Sequence, residues 1–253
     1  MISNRQKKWA AMSLSVAVLA LLCIGARAQD AAAIVKAADR YRLSDENMQL
    51  QTQISIFNRD GSLDKDRAYT VFAQTNHQSL VLMQSPAEKG QKVLMLGDDF
   101  WLLLPGSQRP LRITASQRLF GSASTGDVAT LRWAQDFSPT LVGEERCGEA
   151  ACLHLTLTAL RKTVNYQRIE LWVGKARFEP LKADLYLQSD KLAKQASFVF
   201  DKPVAPTAVI EMVLRDTLSD HKETRIRYLA RKPKQVPETW LNPMFLAKNP
   251  SLE

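Results

Sequence analysis

Between Met48 and Ala230 most of the chain consists of short segments that alternate apolar and polar residues or are wholly apolar, and turn residues separate them. Met48-Gln-Leu-Gln-Thr-Gln-Ile-Ser-Ile-Phe57 alternates, turns at Asn58-Arg-Asp-Gly61 and returns through Ala68–Thr75, which predicts a hairpin. Further strands are expected at Ser79–Gln84, Lys92–Leu96, Phe100–Leu104 and Leu111–Thr114. Others follow at Pro139–Glu144, Leu153–Ala159, Tyr166–Val173, Pro180–Gln188, Lys194–Phe200, Val209–Leu214 and Glu223–Ala230. Short links of this kind join antiparallel neighbours. The expected fold class is therefore mainly β with a few helices (α+β), an antiparallel meander of about ten short strands that curls because a long twisted sheet must. Helical pieces are expected at Asp30–Arg42, where Ile34, Ala37, Ala38 and Tyr41 recur at helical spacing, within Gly121–Leu131, and at Trp240–Leu246. No repeat or linker divides residues 29–253, which are expected to form a single domain.

The first 28 residues have a different character. Arg5, Lys7 and Lys8 precede an uncharged stretch from Trp9 to Gly25, which ends in Ala26-Arg27-Ala28. This is the order of a bacterial secretory signal peptide, removed after Ala28. The alternative, a retained anchor, is disfavoured by an apolar core short of the about 20 residues that span a bilayer. Leu22 before Cys23 does not suit lipoprotein processing. The expected location is thus the periplasm, exported and soluble. The signal holds four of the 34 basic residues and no acid, so the net charge of +8 falls to +4 in the remaining 225 residues. No basic run is interleaved with base-stacking aromatics, so nucleic acid is not an expected partner.

Two cysteines remain, Cys147 and Cys152, flanking a polar, Gly-containing stretch. In an oxidising compartment such a pair reads as a disulfide across a hairpin tip. Two free thiols or a redox pair are the alternatives, but the spacing is not Cys-x-x-Cys. No catalytic constellation is legible along the chain. His77, His154 and His221 are scattered without a second ligand at metal spacing, so no metal is expected. No Gly-x-Ser-x-Gly elbow exists. Asp98-Asp99 and Glu144-Glu145 are adjacent carboxylates, and neighbours on a strand point to opposite faces, so neither pair is an acid/base dyad by itself; they read as turn and hairpin-edge charges. No catalytic residue and no cofactor is expected.

The strands are apolar beyond what one buried face needs. Val93–Leu96 and Phe100–Leu104 are apolar on both faces, and Leu80–Met83 with Ile169, Leu171, Trp172 and Val173 add more. Either these are buried central strands, or one face lines a cavity for an acyl chain or sterol. Met83, Met95 and Met212 would suit an irregular ligand. The candidate lipid-binding set is Phe72, Val81, Met83, Leu94, Leu96, Trp101, Leu103, Leu171 and Met212.

Residues 85–127 bring in a family resemblance. Ser85-Pro86, Lys89-Gly90, Leu94, Asp98, Trp101, Pro105, Arg109, Arg112-Ile113, Phe120-Gly121-Ser122 and Asp127 occur in the order and spacing of a known signature. Leu171-Trp172-Val173, Phe178-x-Pro180-Leu181-Lys182 and Lys191-Leu-x-Lys194 continue it. The chain resembles the periplasmic outer-membrane lipoprotein-sorting proteins, the LolA/LolB-like carriers. It departs from them at Leu103, where an aromatic is common, and at Ala123–Gly126. The resemblance implies a half-open antiparallel β-barrel with a helical lid over an apolar cavity. It implies a carrier of lipoprotein acyl chains or other lipids towards the outer membrane, working with a resistance-nodulation-division (RND) type inner-membrane transporter and an outer-membrane acceptor. The rival expectations are a non-catalytic adaptor of such a transporter and an envelope hydrolase. Arg225, Arg227 and Arg231 alternate along one strand face, and they are either a solvated, charge-protected edge or a docking surface. Arg109, Arg112 and Arg118 are candidates to meet a lipid headgroup or partner at the cavity mouth.

Overall fold

The structure is a computed structural model that describes residues 31–43, 47–114, 116–120, 123–128, 132–217 and 223–248. Residues 1–30, which include the expected signal peptide, His221 and part of the 121–131 stretch lie outside those residues. A first helix, α1, covers residues 31–42. The strands are β1 (Met48–Phe57), β2 (Leu63–Gln74), β3 (Gln78–Met83), β4 (Lys92–Leu96), β5 (Asp99–Leu103), β6 (Leu111–Ile113), β7 (Arg118–Phe120) and β8 (Ala123–Ser124). Two single-turn helices follow, α2 (Thr125–Val128) and α3 (Trp133–Asp136). Next come β9 (Phe137–Cys147), β10 (Ala150–Ala159), β11 (Arg168–Gly174), β12 (Pro180–Tyr186), β13 (Leu192–Phe200), β14 (Val209–Asp216) and β15 (Glu223–Pro233). A 3-10 turn at Glu238–Leu241 and helix α4 (Pro243–Leu246) complete the order.

Thirteen strands form one antiparallel sheet in the order β6-β5-β4-β3-β2-β1-β15-β14-β13-β12-β11-β10-β9. This is a meander in which the only non-sequential neighbours are β1 and β15. The sheet holds thirteen strands rather than about ten because every segment picked out by its alternation pairs into it. β6 and β9 are its edges, so the barrel is half-open.

The curl can be measured by contact. Strands lie about 4.8 Å apart, so in a flat sheet the β4–β5 turn and the β10–β11 loop would be about 40 Å apart. Yet Asp98 in that turn and Arg161 in that loop are joined at 2.9 Å. The curled sheet wraps around α1 and α3. Ala31, Ile34, Val35 and Ala38 of α1 are buried against it, and the small alanines let the helix lie close. Ile34 and Val35 contribute on the order of 1.5–3 kcal/mol each by leaving water.

Because side chains alternate across a strand, the register assigns each to a face. On the inner face, Leu50, Val71, Val81 and Val93 lie opposite one another in turn, as do Ile54, Ile226, Met212 and Phe198. The outer-face row is Phe72, Leu80, Leu94 and Trp101. This row does not face water. Val236 and Leu246 of the C-terminal segment are buried against it, with Trp240 and Leu241 packed alongside. The doubly apolar strands thus serve two separate cores, one inside the half-barrel and one beneath a C-terminal strap. Cys147 and Cys152 are joined in a disulfide across the β9–β10 hairpin, with Cα atoms 5.8 Å apart.

Candidate functional site

The inner face, α1 and α3 enclose an apolar interior. Its residual void, about 30 Å³, is lined mainly by Trp133, Phe137, Ile169, Leu185, Phe198 and Met212. That is room for about one water molecule. Trp133 is the plug. It meets Phe198 edge-on at 5.9 Å between ring centroids, and the Arg42 guanidinium lies over its ring, 3.9 Å from the centroid.

The plug is tied to the lid by one carboxylate. Asp39 of α1 accepts the Ala134 amide at 2.8 Å, satisfying a donor at the start of α3, and accepts from Arg42 Nη1 at 3.1 Å. Burial holds the Asp39 carboxyl above its ordinary value, against the opposing pull of Arg42 and the backbone donors. Arg42 Nε is buried without a hydrogen-bond partner among the described residues.

A polar node borders the same void. Lys194 Nζ donates to Asp127 Oδ2 at 2.7 Å. Ser124 donates to the same oxygen through its amide at 2.9 Å and its hydroxyl at 2.7 Å. The Tyr166 hydroxyl donates to Asp127 Oδ1 at 3.0 Å, and Asn165 Nδ2 donates to Ser124 Oγ at 2.8 Å. Burial alone would raise the Asp127 carboxyl, but the charge and donors of Lys194 and Ser124 outweigh it and hold the group below its ordinary value. Burial, then the Asp127 charge, pushes the Tyr166 phenol well above its usual range, so it remains a neutral donor. A buried ion pair costs desolvation that only good geometry repays. Here it borders a mainly apolar space that Arg42 and Tyr166 also line.

The lipid-binding set divides by strand parity. Val81, Met83, Leu171 and Met212 belong to the interior cluster, and Met212 lines the void. Phe72, Leu94 and Leu103 belong to the cluster under the strap, with Leu96 and Trp101 packed against it. Phe72 meets Trp240 edge-on at 5.6 Å. The docking arginines also separate. Arg109 is exposed in the β5–β6 loop. Arg112 pairs with Asp99. Arg225 bonds to Glu223 at 2.6 Å and Arg227 to Glu211 at 2.9 Å, on the outer face of β15. Neighbouring carboxylates therefore offset the β15 charges. The side chain of Arg118 lies outside the described residues.

The sequence singled out Asp127 and Lys194 separately, but nothing in it paired residues so far apart in the chain. Trp133, Tyr166 and Ser124 carried no periodic signal. The Asp39–Arg42 spacing on α1 was the one readable hint of the lid contacts. Among the described residues no group of three or more His, Cys, Asp or Glu is placed to hold a metal ion. No described helix is long and apolar enough to cross a membrane.

Comparison with known proteins follows the same fold. A family model described as an uncharacterized protein matches residues 75–248. No curated protein matches the chain. A LolA superfamily protein from Nitrosomonas europaea is 28% identical, covers 84% of this chain and 97% of its own, and superposes with a TM-score of 0.77. A DUF1329 family protein from Desulfovibrio piger is 21% identical over 85% of this chain and 97% of its own, with a TM-score of 0.69. A domain described as an outer membrane lipoprotein-sorting protein, from Vibrio parahaemolyticus, is 16% identical over 87% and 99%, with a TM-score of 0.68. The last two likenesses are of fold. With the family model spanning most of the chain and the fold shared with these structures, the chain belongs to the DUF1329-like family and has a LolA-like fold.

Proposed function

We propose that the protein is a periplasmic, non-catalytic carrier that takes the acyl chains of lipoproteins or other lipids into its interior and conveys them towards the outer membrane. The observation that carries this reading is the concave apolar face covered by α1 and the Trp133 turn rather than by a second sheet. Such a cover can be displaced as a unit. The likeness to a LolA superfamily protein supports the same reading, and the signal-like residues 1–28 support export. Burial of an acyl chain supplies about 0.8 kcal/mol per methylene, so loading and handover need affinity differences and no energy source. The donor would be an RND-type transporter and the receiver an outer-membrane acceptor.

The filled interior supports a second reading. A void of about 30 Å³ suits an adaptor of an envelope transporter that binds no lipid at all. Native mass spectrometry of residues 29–253 purified from the periplasm, with solvent extraction of bound material, separates the two. One lipid per chain is the expected result. An empty protein that also takes up no fluorescent fatty-acid probe overturns the carrier and leaves the adaptor.

A further inference from the structure

Arg161 joins two distant parts of the curled sheet. Arg161, in the β10–β11 loop, directs Nε at both carboxylate oxygens of Asp98 in the β4–β5 turn, at 3.0 and 2.9 Å. Its Nη2 donates to Asp136 Oδ1 at 2.6 Å. Asp136 ends α3, is fully buried, and accepts the Arg132 amide at 3.1 Å. His77, in the β2–β3 turn, brings Nδ1 to 3.6 Å from the same Asp136 oxygen. A single guanidinium therefore joins these two parts of the sheet to each other and to the turn that carries the Trp133 plug.

A cleft of about 620 Å³ lies beside this clasp, between Asp99, Arg112 and Ile113 on one edge and Lys162, Asn165 and Leu187 on the other. Its rim is polar, but Ile113, Leu187 and the adjoining Val164 pack into the apolar interior. The seam thus sets a polar surface directly against the interior. The two legs of the clasp differ. Asp98 is 34% exposed, whereas Asp136 is 0% exposed. An exposed ion pair is weak and screened by salt, while stripping the partner from a buried carboxylate is costly. Arg161 therefore stays with Asp136 and releases Asp98 first, which parts the β4–β5 turn from the β10–β11 loop.

We infer that this seam is the route by which an acyl chain reaches the interior, and that Arg161 is its latch. The inference deepens the carrier reading and rests on it. The test uses the mature chain with Asp98→Cys and Arg161→Cys together, the native cysteines being joined in their disulfide. One sample is bridged with a short bismaleimide and another is capped at both thiols with N-ethylmaleimide. Uptake of a pyrene-labelled fatty acid is followed by stopped-flow fluorescence. The capped protein lacks both legs of the clasp, the exposed one to Asp98 and the buried one to Asp136, and should load at least about threefold faster than the wild type. The bridged protein should load at least roughly tenfold slower than the capped one, as for a gate held shut. Equal rates in bridged and capped samples overturn the route. Hydrogen exchange of an Arg161→Gln variant tests the latch without any ligand. Faster exchange at residues 97–104 and 133–137 supports it, and unchanged exchange overturns it. If neither the wild type nor the capped protein takes up probe, the carrier reading fails, and the exchange result still decides the latch.

Discussion

Asp127 and Lys194 sit 67 residues apart in sequence and meet at 2.7 Å inside the molecule. Removing Lys194 alone leaves a buried carboxylate without its cation, so Lys194→Met should cost about 3–5 kcal/mol in urea denaturation. Asp127→Leu added to it should recover most of that loss, because the desolvation cost disappears with the charge. A double variant as unstable as the single one would show that Tyr166 and Ser124, not the charge, set the cost. The same pair predicts an acid limb. The folded Asp127 carboxyl is held below its unfolded value of 3.8, so it contributes stability that is present above that value. The contribution is lost as pH falls from about 3.8 through the depressed folded value. Asp127→Asn should flatten the fall in unfolding free energy over that window. Both residues were visible as members of the family signature, but their pairing was not. A buried ion pair has no sequence period, and only the inward register of β13 and the turn at α2 bring its two halves together.

Strand parity is the corresponding lesson at the level of elements. Alternation located the strands to within a few residues, yet Val93–Leu96 and Phe100–Leu103 are apolar at nearly every position, so their inner and outer faces read alike. The structure assigns Val81 and Met83 inward and Phe72, Leu94 and Trp101 outward beneath the strap. Two substitutions should then behave differently. Met212→Asp should abolish fatty-acid probe binding in a protein that still gives a strand-rich circular dichroism spectrum. Trp101→Asp should leave probe binding within about twofold and instead free the strap, as local unfolding rather than global loss. Limited proteolysis between residues 234 and 248 would report it. Trp101→Asp that blocks probe binding with the strap still protected would return the outer face to the candidate site. Helix α3 escaped the sequence reading because four residues show no period. It is held by the Asp39 carboxylate on α1, a contact made only after the sheet has curled.

For the whole molecule the decisive quantity is the void of about 30 Å³. A chain of methylenes cannot enter a space that admits about one water, so loading requires prior opening. Probe uptake should therefore saturate with probe concentration at an opening rate, rather than rise linearly as for a preformed pocket. Linear uptake up to the solubility limit would mean that the interior is open in solution. The disulfide contributes at the sheet's far edge. Its short loop predicts a loss of about 2 kcal/mol on reduction by the loop-entropy model, seen as a lower denaturation midpoint with probe uptake unchanged.

The chain's local chemistry was enough to specify a β meander with a leading helix, because turn residues and period-two alternation act over a few residues. The same local chemistry specified the hairpin disulfide, through two cysteines separated by a tight turn. The curl that brings Asp98 to Arg161, the choice of inner face for each apolar strand, the strap over the second core and the Asp127–Lys194 node arose only with the assembled sheet. Each depends on the register and twist summed over thirteen strands, and no window of neighbouring residues contains that sum.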